Sequence, residues 1–104
     1  DAKIAFFCLN QEDMRSTGAQ DRECEAALEE SLYLDYVKVA VLLQERDDFS
    51  IKGSIRSKPG VDAAKIADFF GGGGHVDRAG FNIADGSSLK SMKDKILNLI
   101  KKDI

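Results

Sequence analysis

The chain contains no tryptophan, one proline, one histidine and two cysteines among its 104 residues. A lone imidazole, His75, with no paired His/Cys ligand spacing, argues against a zinc site within the chain. Cys8 and Cys24 form no Cys-x-x-Cys motif, which argues against a disulfide framework or a redox pair. Each sits in an apolar pattern and reads as a buried, reduced thiol, the state that fits the cytoplasm. No apolar run approaches the ~18–20 residues that cross a bilayer, so no membrane partner is expected. No secretory signal pattern opens the chain. It begins at Asp1 without an initiator Met, as a fragment or processed product does.

What is present suits one globular domain: 43% hydrophobic residues supply a core, and 32% charged residues cover it. The net charge of −3 hides an asymmetry. Residues 1–50 carry 5 Lys/Arg against 12 Asp/Glu, and residues 51–104 carry 10 against 6. That balance argues against a broad surface for coating nucleic acid. It permits a small site for one or two phosphates in the basic half.

Hydrophobic periodicity predicts the elements. Residues 4–9 form an apolar run that reads as a buried strand. Residues 11–17 read as a short helical turn with Gly18 as its stop. Residues 21–34 read as a helix with Asp21 as N-cap. Cys24, Leu28 and Leu32, joined by Ala27, make its apolar face. Its acids Glu23, Glu25, Glu29 and Glu30 read as a face turned mainly to water rather than a metal site. Residues 37–43 are β-branched and apolar, the pattern of a strand buried on both faces. After the polar turn at residues 45–48, residues 49–56 alternate, with Phe49, Ile51 and Ile55 on one face. Ser50, Lys52, Ser54 and Arg56 take the other, and the short spacing predicts a hairpin.

Beyond the turn at residues 57–60, Asp62 caps a helix over residues 63–70, with Ile66, Phe69 and Phe70 as its apolar face and Gly71 as its stop. Residues 79–84 read as a strand with Phe81 and Ile83 on one face. The turn at residues 85–88 leads to a terminal helix whose stripe is Leu89, Met92, Ile96, Leu99 and Ile100. The order βαββαβα predicts an α/β domain with a mixed sheet of four to five strands and helices packed on it.

Gly71-Gly72-Gly73-Gly74-His75, followed by Ala79-Gly80-Phe81, is the most informative stretch. Four glycines in a row let the backbone approach a ligand closely but are costly to order. A glycine cradle beside an imidazole suggests an anion site, for a phosphate above all. No Lys-Ser/Thr follows, which excludes a Walker loop. Val76 and Asp77 fall where a dinucleotide fingerprint needs its last glycine, and the run follows a helix. The Gly-x-x-Gly of a KH domain is matched only formally, because such loops join two helices and carry basic residues.

Arg56 ends a strand whose polar face also bears Ser54, and arginine suits bidentate phosphate contact. If that strand lies beside the glycine run, Ser54, Arg56 and His75 converge on one anion. Taken singly, Arg56 also fits a surface ion pair, and His75 a hydrogen bond that fixes its loop. His75 with Asp77 makes a poor self-sufficient enzyme, since no nucleophile accompanies them.

Ser54-Ile55-Arg56-Ser57, then a helix, then Gly-Gly-Gly-Gly-His and Ala-Gly-Phe, resembles the DHHA1 domain, the C-terminal substrate-binding domain of DHH-family phosphoesterases. The resemblance spans essentially the whole chain and is strongest over residues 37–83. It is greatest to the subgroup of small oligoribonucleases and phosphatases of 3′-phosphoadenosine 5′-phosphate. It implies phosphate contacts at Arg56 and His75 and from the backbone of Gly72, Gly73 and Gly74, beside the Ser54 hydroxyl read from the strand. It also implies a short single-stranded RNA or phosphorylated nucleotide as ligand. The family's position three beyond the histidine is often small. Arg78 stands there instead, where it either narrows the site or adds a phosphate contact. Hydrolysis in the family takes place on two metal ions, usually manganese, held by an N-terminal DHH domain whose Asp-His-His signature is absent here. The resemblance therefore implies a domain that binds without hydrolysing and holds no cofactor itself. Its expected partners are the DHH domain and, in some assemblies, a second copy. The alternative is a structural or dimerisation module whose glycine run serves packing; alanyl-tRNA synthetases carry a related domain.

Overall fold

Residues 51–57 alternate between apolar and polar, and in the computed structural model they form the middle strand of a five-stranded sheet. The structure describes residues 3–17 and 21–103. In chain order the elements are β1 (Ile4–Leu9), α1 (Gln11–Thr17), α2 (Asp21–Ser31), β2 (Val39–Glu45) and β3 (Ile51–Ser57). They continue with α3 (Ala63–Phe69), β4 (Gly73–Gly74), β5 (Arg78–Ile83) and α4 (Leu89–Asp103). The sheet order is β1-β2-β3-β5-β4, with β1 parallel to β2 and every other pair antiparallel. The mixed α/β architecture is the one expected, with β4 as its fifth strand.

The two faces of the sheet are covered unequally. On one, Val39, Val41, Leu43, Ile51 and Ile55 pack beneath α3 and α4, which bury Ala63, Ile66, Ala67, Met92, Ile96 and Ile100. On the other, Ala40 and Leu42 meet Cys24 and Leu28 of α2, with Met14 and Leu32 at the edge. Helix α2 packs on β2 and touches β3, so the β3-β5-β4 end of that face keeps an open surface.

Several expectations are corrected. Strand β1 is an edge strand, half-buried rather than buried, with Phe7 exposed. Helix α2 ends at Ser31 instead of residue 34. Leu32 and Tyr33 close it with tighter bonds to the carbonyls of Glu29 and Glu30, and Ala27 lies on its exposed side. Gly18, the expected stop of α1, and the side chain of Asp21 lie outside the described residues. Strand β2 begins two residues after Val37, which is buried but precedes it. Phe49 is not part of the alternating face: its φ of 66° puts it in the hairpin turn, and the ring is exposed. In α3 the buried positions are Ala63, Ile66 and Ala67, while Phe69 points outward and meets Phe70 edge-to-face.

The predicted caps hold α3 at both ends. The Asp62 carboxylate accepts from Lys65 N at 3.1 Å. At the other end Gly71 N donates to Asp68 O and Gly72 N to Ala67 O, the paired bonds of a Schellman stop, with Gly71 at φ 81°. Ser88 caps α4 by accepting from Ser91 N at 3.1 Å. Both cysteines are free thiols, Cys24 buried and Cys8 half-buried. Burial raises the Cys8 thiol above its ordinary range, against the opposing pull of Lys93. Among the described residues no helix is long and apolar enough to cross a membrane.

Candidate functional site

The open end of the sheet is built from side chains that alternate onto one face. On β3 these are Lys52, Ser54 and Arg56, and their register partners on β5 are Asn82, Gly80 and Arg78. Gly80 in turn pairs with Gly73 of β4. Residues two apart on a strand share a face, so this register alone gathers a basic, polar floor. The floor holds a cleft of about 360 Å³, lined by Ser54, Gly73, Gly74, His75, Arg78 and Asn82 and flanked by Lys52 and Glu25.

The glycine run has a more specific job than a loose cradle. Gly73 and Gly74 are strand residues at the sheet edge, hydrogen-bonded to β5. A Cβ on Gly72 would collide with the Gly80 carbonyl oxygen and the Phe81 side chain. One on Gly74 would come within 2.6 Å of Ala79 Cα and Arg78 O. A Cβ on Gly73 would meet nothing within 4 Å. Gly72 and Gly74 therefore let β4 press onto β5, whereas Gly73 keeps the cleft floor bare.

His75 starts the turn between β4 and β5. Its N–H donates to Arg78 O at 2.6 Å, and Arg78 N donates back to His75 O at 3.3 Å. The tip is fixed from below. Ser57 N donates to Asp77 O at 3.0 Å and Ala63 N to Val76 O at 2.8 Å. The buried Ser57 hydroxyl is shared between the carbonyls of Val61, at 2.8 Å, and Val76, at 3.0 Å. The exposed imidazole thus rests on a hairpin whose position is set by the end of β3 and the start of α3.

Of the candidate residues, the structure brings Ser54, Gly73, Gly74, His75 and Arg78 to one cleft. Ser54 is buried in its floor, while His75 and Arg78 are exposed at its rim. Gly72 lies behind the cleft as a packing residue. Arg56 lies beyond the lining, one register step past Ser54. Its Nε donates to Glu29 Oε1 at 3.2 Å and its Nη1 to Ile55 O at 3.1 Å. Arg78 Nη2 approaches the same Glu29 oxygen at 3.8 Å, and Lys52 Nζ lies 3.6 Å from Glu25 Oε1. Of the acids read from the sequence as facing mainly water, Glu25 flanks the cleft and Glu29 lies just beyond it, against Arg56 and Arg78. Lys52 and Asn82 were overlooked as well; the two-residue alternation that marked Ser54 and Arg56 also marks Lys52. Among the described residues no three His, Cys, Asp or Glu groups are gathered as they would be around a metal ion.

The site is thus a glycine-bounded cleft on a mixed sheet, with Ser-x-Arg on the central strand and Gly-Gly-Gly-His at the edge hairpin. Residues 3–102 match the DHHA1 domain, and the chain belongs to that family, a domain of DHH phosphoesterases. Over 72 residues it is 36% identical to the bifunctional oligoribonuclease and PAP phosphatase NrnA of Thermus thermophilus, a match covering 69% of this chain and 22% of that protein. An exopolyphosphatase-related protein from Bacteroides fragilis shares the fold, with a TM-score of 0.79 at 24% identity over 98% of this chain and 30% of that one. The C-Ala domain of Aquifex aeolicus alanyl-tRNA synthetase also shares it, with a TM-score of 0.64 at 14% identity over 96% of this chain and 88% of that one. The chain thus spans less than a third of the length of the first two.

Proposed function

We propose that this chain is the nucleotide-end-binding domain of a DHH-type phosphoesterase. It holds a phosphate of a short single-stranded RNA or a phosphorylated nucleotide while a separate N-terminal DHH domain performs hydrolysis. The observation that carries this reading is the convergence of Ser54, His75 and Arg78 on one cleft, with Arg56 and Lys52 beside it and the bare backbone of Gly73 in its floor. Guanidinium groups, a hydroxyl and an imidazole are donors matched to phosphate oxygens. A clamp at one end of the substrate contributes to rate by orienting the scissile bond, without touching it. Manganese belongs, in this reading, to the DHH domain, and the setting is the cytoplasm. The similarity to the Thermus enzyme supports an oligoribonucleotide or a nucleotide bearing two phosphates as the ligand class.

The test is calorimetric or NMR titration of the 104-residue chain with an RNA dinucleotide and with 3′-phosphoadenosine 5′-phosphate. Weak binding is expected, reduced about tenfold or more in His75→Ala and Arg56→Ala, the scale of losing one charge-assisted contact. Equal binding by variants that melt like the wild type overturns the reading. A second reading has its own support. Gly72 and Gly74 are accounted for by packing on β5 alone, as in a structural or dimer-forming module. A folded wild type that binds neither ligand at millimolar concentration favours it.

A further inference from the structure

Arg56 and Arg78 stand opposite each other in the β3–β5 register and share one face. Both guanidinium groups address a single oxygen, Glu29 Oε1, at 3.2 and 3.8 Å. One anionic oxygen thus accepts a hydrogen bond from Arg56 and lies within ion-pair reach of Arg78, a position that suits a phosphate oxygen equally well. We propose that Glu29 is a resident anion in this arginine pair, which a ligand phosphate displaces, and that its charge sets how tightly the site holds a phosphoryl end. The inference rests on the binding role proposed above.

Three features make Glu29 the mobile partner. Its side chain is 52% exposed, while that of Arg56 is only 14% exposed. An ion pair with one half-exposed partner on a helix surface is weakly held and screened by salt. Arg56 also has a second tie, from Nη1 to Ile55 O of its own strand, which keeps the guanidinium oriented when the carboxylate leaves. Glu25, one helical turn earlier on α2, sits against Lys52 in the same way at 3.6 Å. The two carboxylates therefore offset much of the charge of their cationic partners. A phosphate entering must compete with a carboxylate already in place, so it binds weakly and leaves readily. Glu29 is here an affinity-setting residue that acts through the arginines.

The experiment measures adenosine 5′-monophosphate and RNA dinucleotide affinity for the 104-residue chain at low and raised salt. The variants are Glu29→Gln, Glu29→Asp and Glu30→Gln, with His75→Ala as reference. Glu29→Gln is expected to tighten binding about 2- to 5-fold at low salt, a gain that shrinks as salt is added. Glu29→Asp, which keeps the charge but shortens its reach, is expected to give a smaller gain. Glu30→Gln makes the same change in net charge one residue along and is expected to change affinity by less than about 1.5-fold. A loss or no change in both Glu29 variants overturns the inference, as does an equal gain in Glu30→Gln. Binding that vanishes in His75→Ala yet ignores Glu29 overturns this inference alone. A wild type that binds neither probe overturns it together with the binding role.

Discussion

At the scale of single residues, two aspartates in turns are held in their charged form. Asp48 Oδ1 accepts from Ser50 Oγ at 2.6 Å and Ser50 N at 3.0 Å, and Asp85 Oδ1 accepts from Ser87 Oγ at 2.5 Å and Ser87 N at 2.9 Å. These bonds, the hydroxyl first, hold both carboxyls below the usual aspartate range. A folded-state value below the unfolded one stabilises the protein above the ordinary aspartate value of about 4, and the contribution is lost as pH falls through the folded value. In an NMR titration of the carboxyl carbons, Asp48 and Asp85 should titrate below that value. Ser50→Ala should return Asp48 toward it and leave Asp85 unmoved. The Asp48 turn has a structural consequence as well. Arg46 N donates to Ser50 O, closing the hairpin that puts Lys52, Ser54 and Arg56 on their shared face.

At the scale of elements, the β4–β5 hairpin separates the glycines that packing requires from the one proposed to face the ligand. Gly72→Ala drives a methyl group into the Gly80 carbonyl and the Phe81 side chain. It should cost about 1–3 kcal/mol in thermal or denaturant unfolding, as overpacking does. Gly73→Ala meets no atom within 4 Å and should leave the melting temperature nearly unchanged. Its methyl group projects over the cleft, on the same face as Gly80 and Ser54, and should weaken phosphate binding. If Gly73→Ala binds like the wild type, the cleft floor does not approach the ligand.

The same hairpin marks where the sequence stopped being readable. The stripe of α4 and the alternation of β3 were legible because burial on one side imposes a period. Strand β4 was not, since two glycines carry no pattern and become a strand only through their partner β5. Phe49 continued the alternation on paper, and only its φ of 66° removes it from the strand. Ser54, His75 and the glycines were legible as a local motif. Glu29 was hidden because its partner Arg56 lies 27 residues away, across the fold.

At the scale of the whole molecule, sheet order and charge act together. With β3 in the middle of β1-β2-β3-β5-β4, α2 covers the β2 side of one face and stops short of the β5-β4 end. The acidic first half of the chain thus supplies the carboxylates at the site, Glu25 flanking the cleft and Glu29 just beyond it, and the basic second half supplies their cationic partners Lys52, Arg56 and Arg78. Lys52 and Arg78 line a cleft of about 360 Å³ with Arg56 beside it, and a net charge of −3 implies no extended basic track. In the proposed role, a site of that size has room for one or two phosphates, whatever the length of the strand attached. Each phosphate neutralised on a single strand contributes a slope of roughly −0.7 to log K against log salt. Titration with RNA of two, five and ten nucleotides should therefore give slopes between about −0.7 and −1.4 at every length, with affinities within about threefold of one another. A slope that steepens with length, or an affinity that climbs with each added nucleotide, would require a track of cations along the surface, and the chain would then be a strand-binding module rather than an end-holding one.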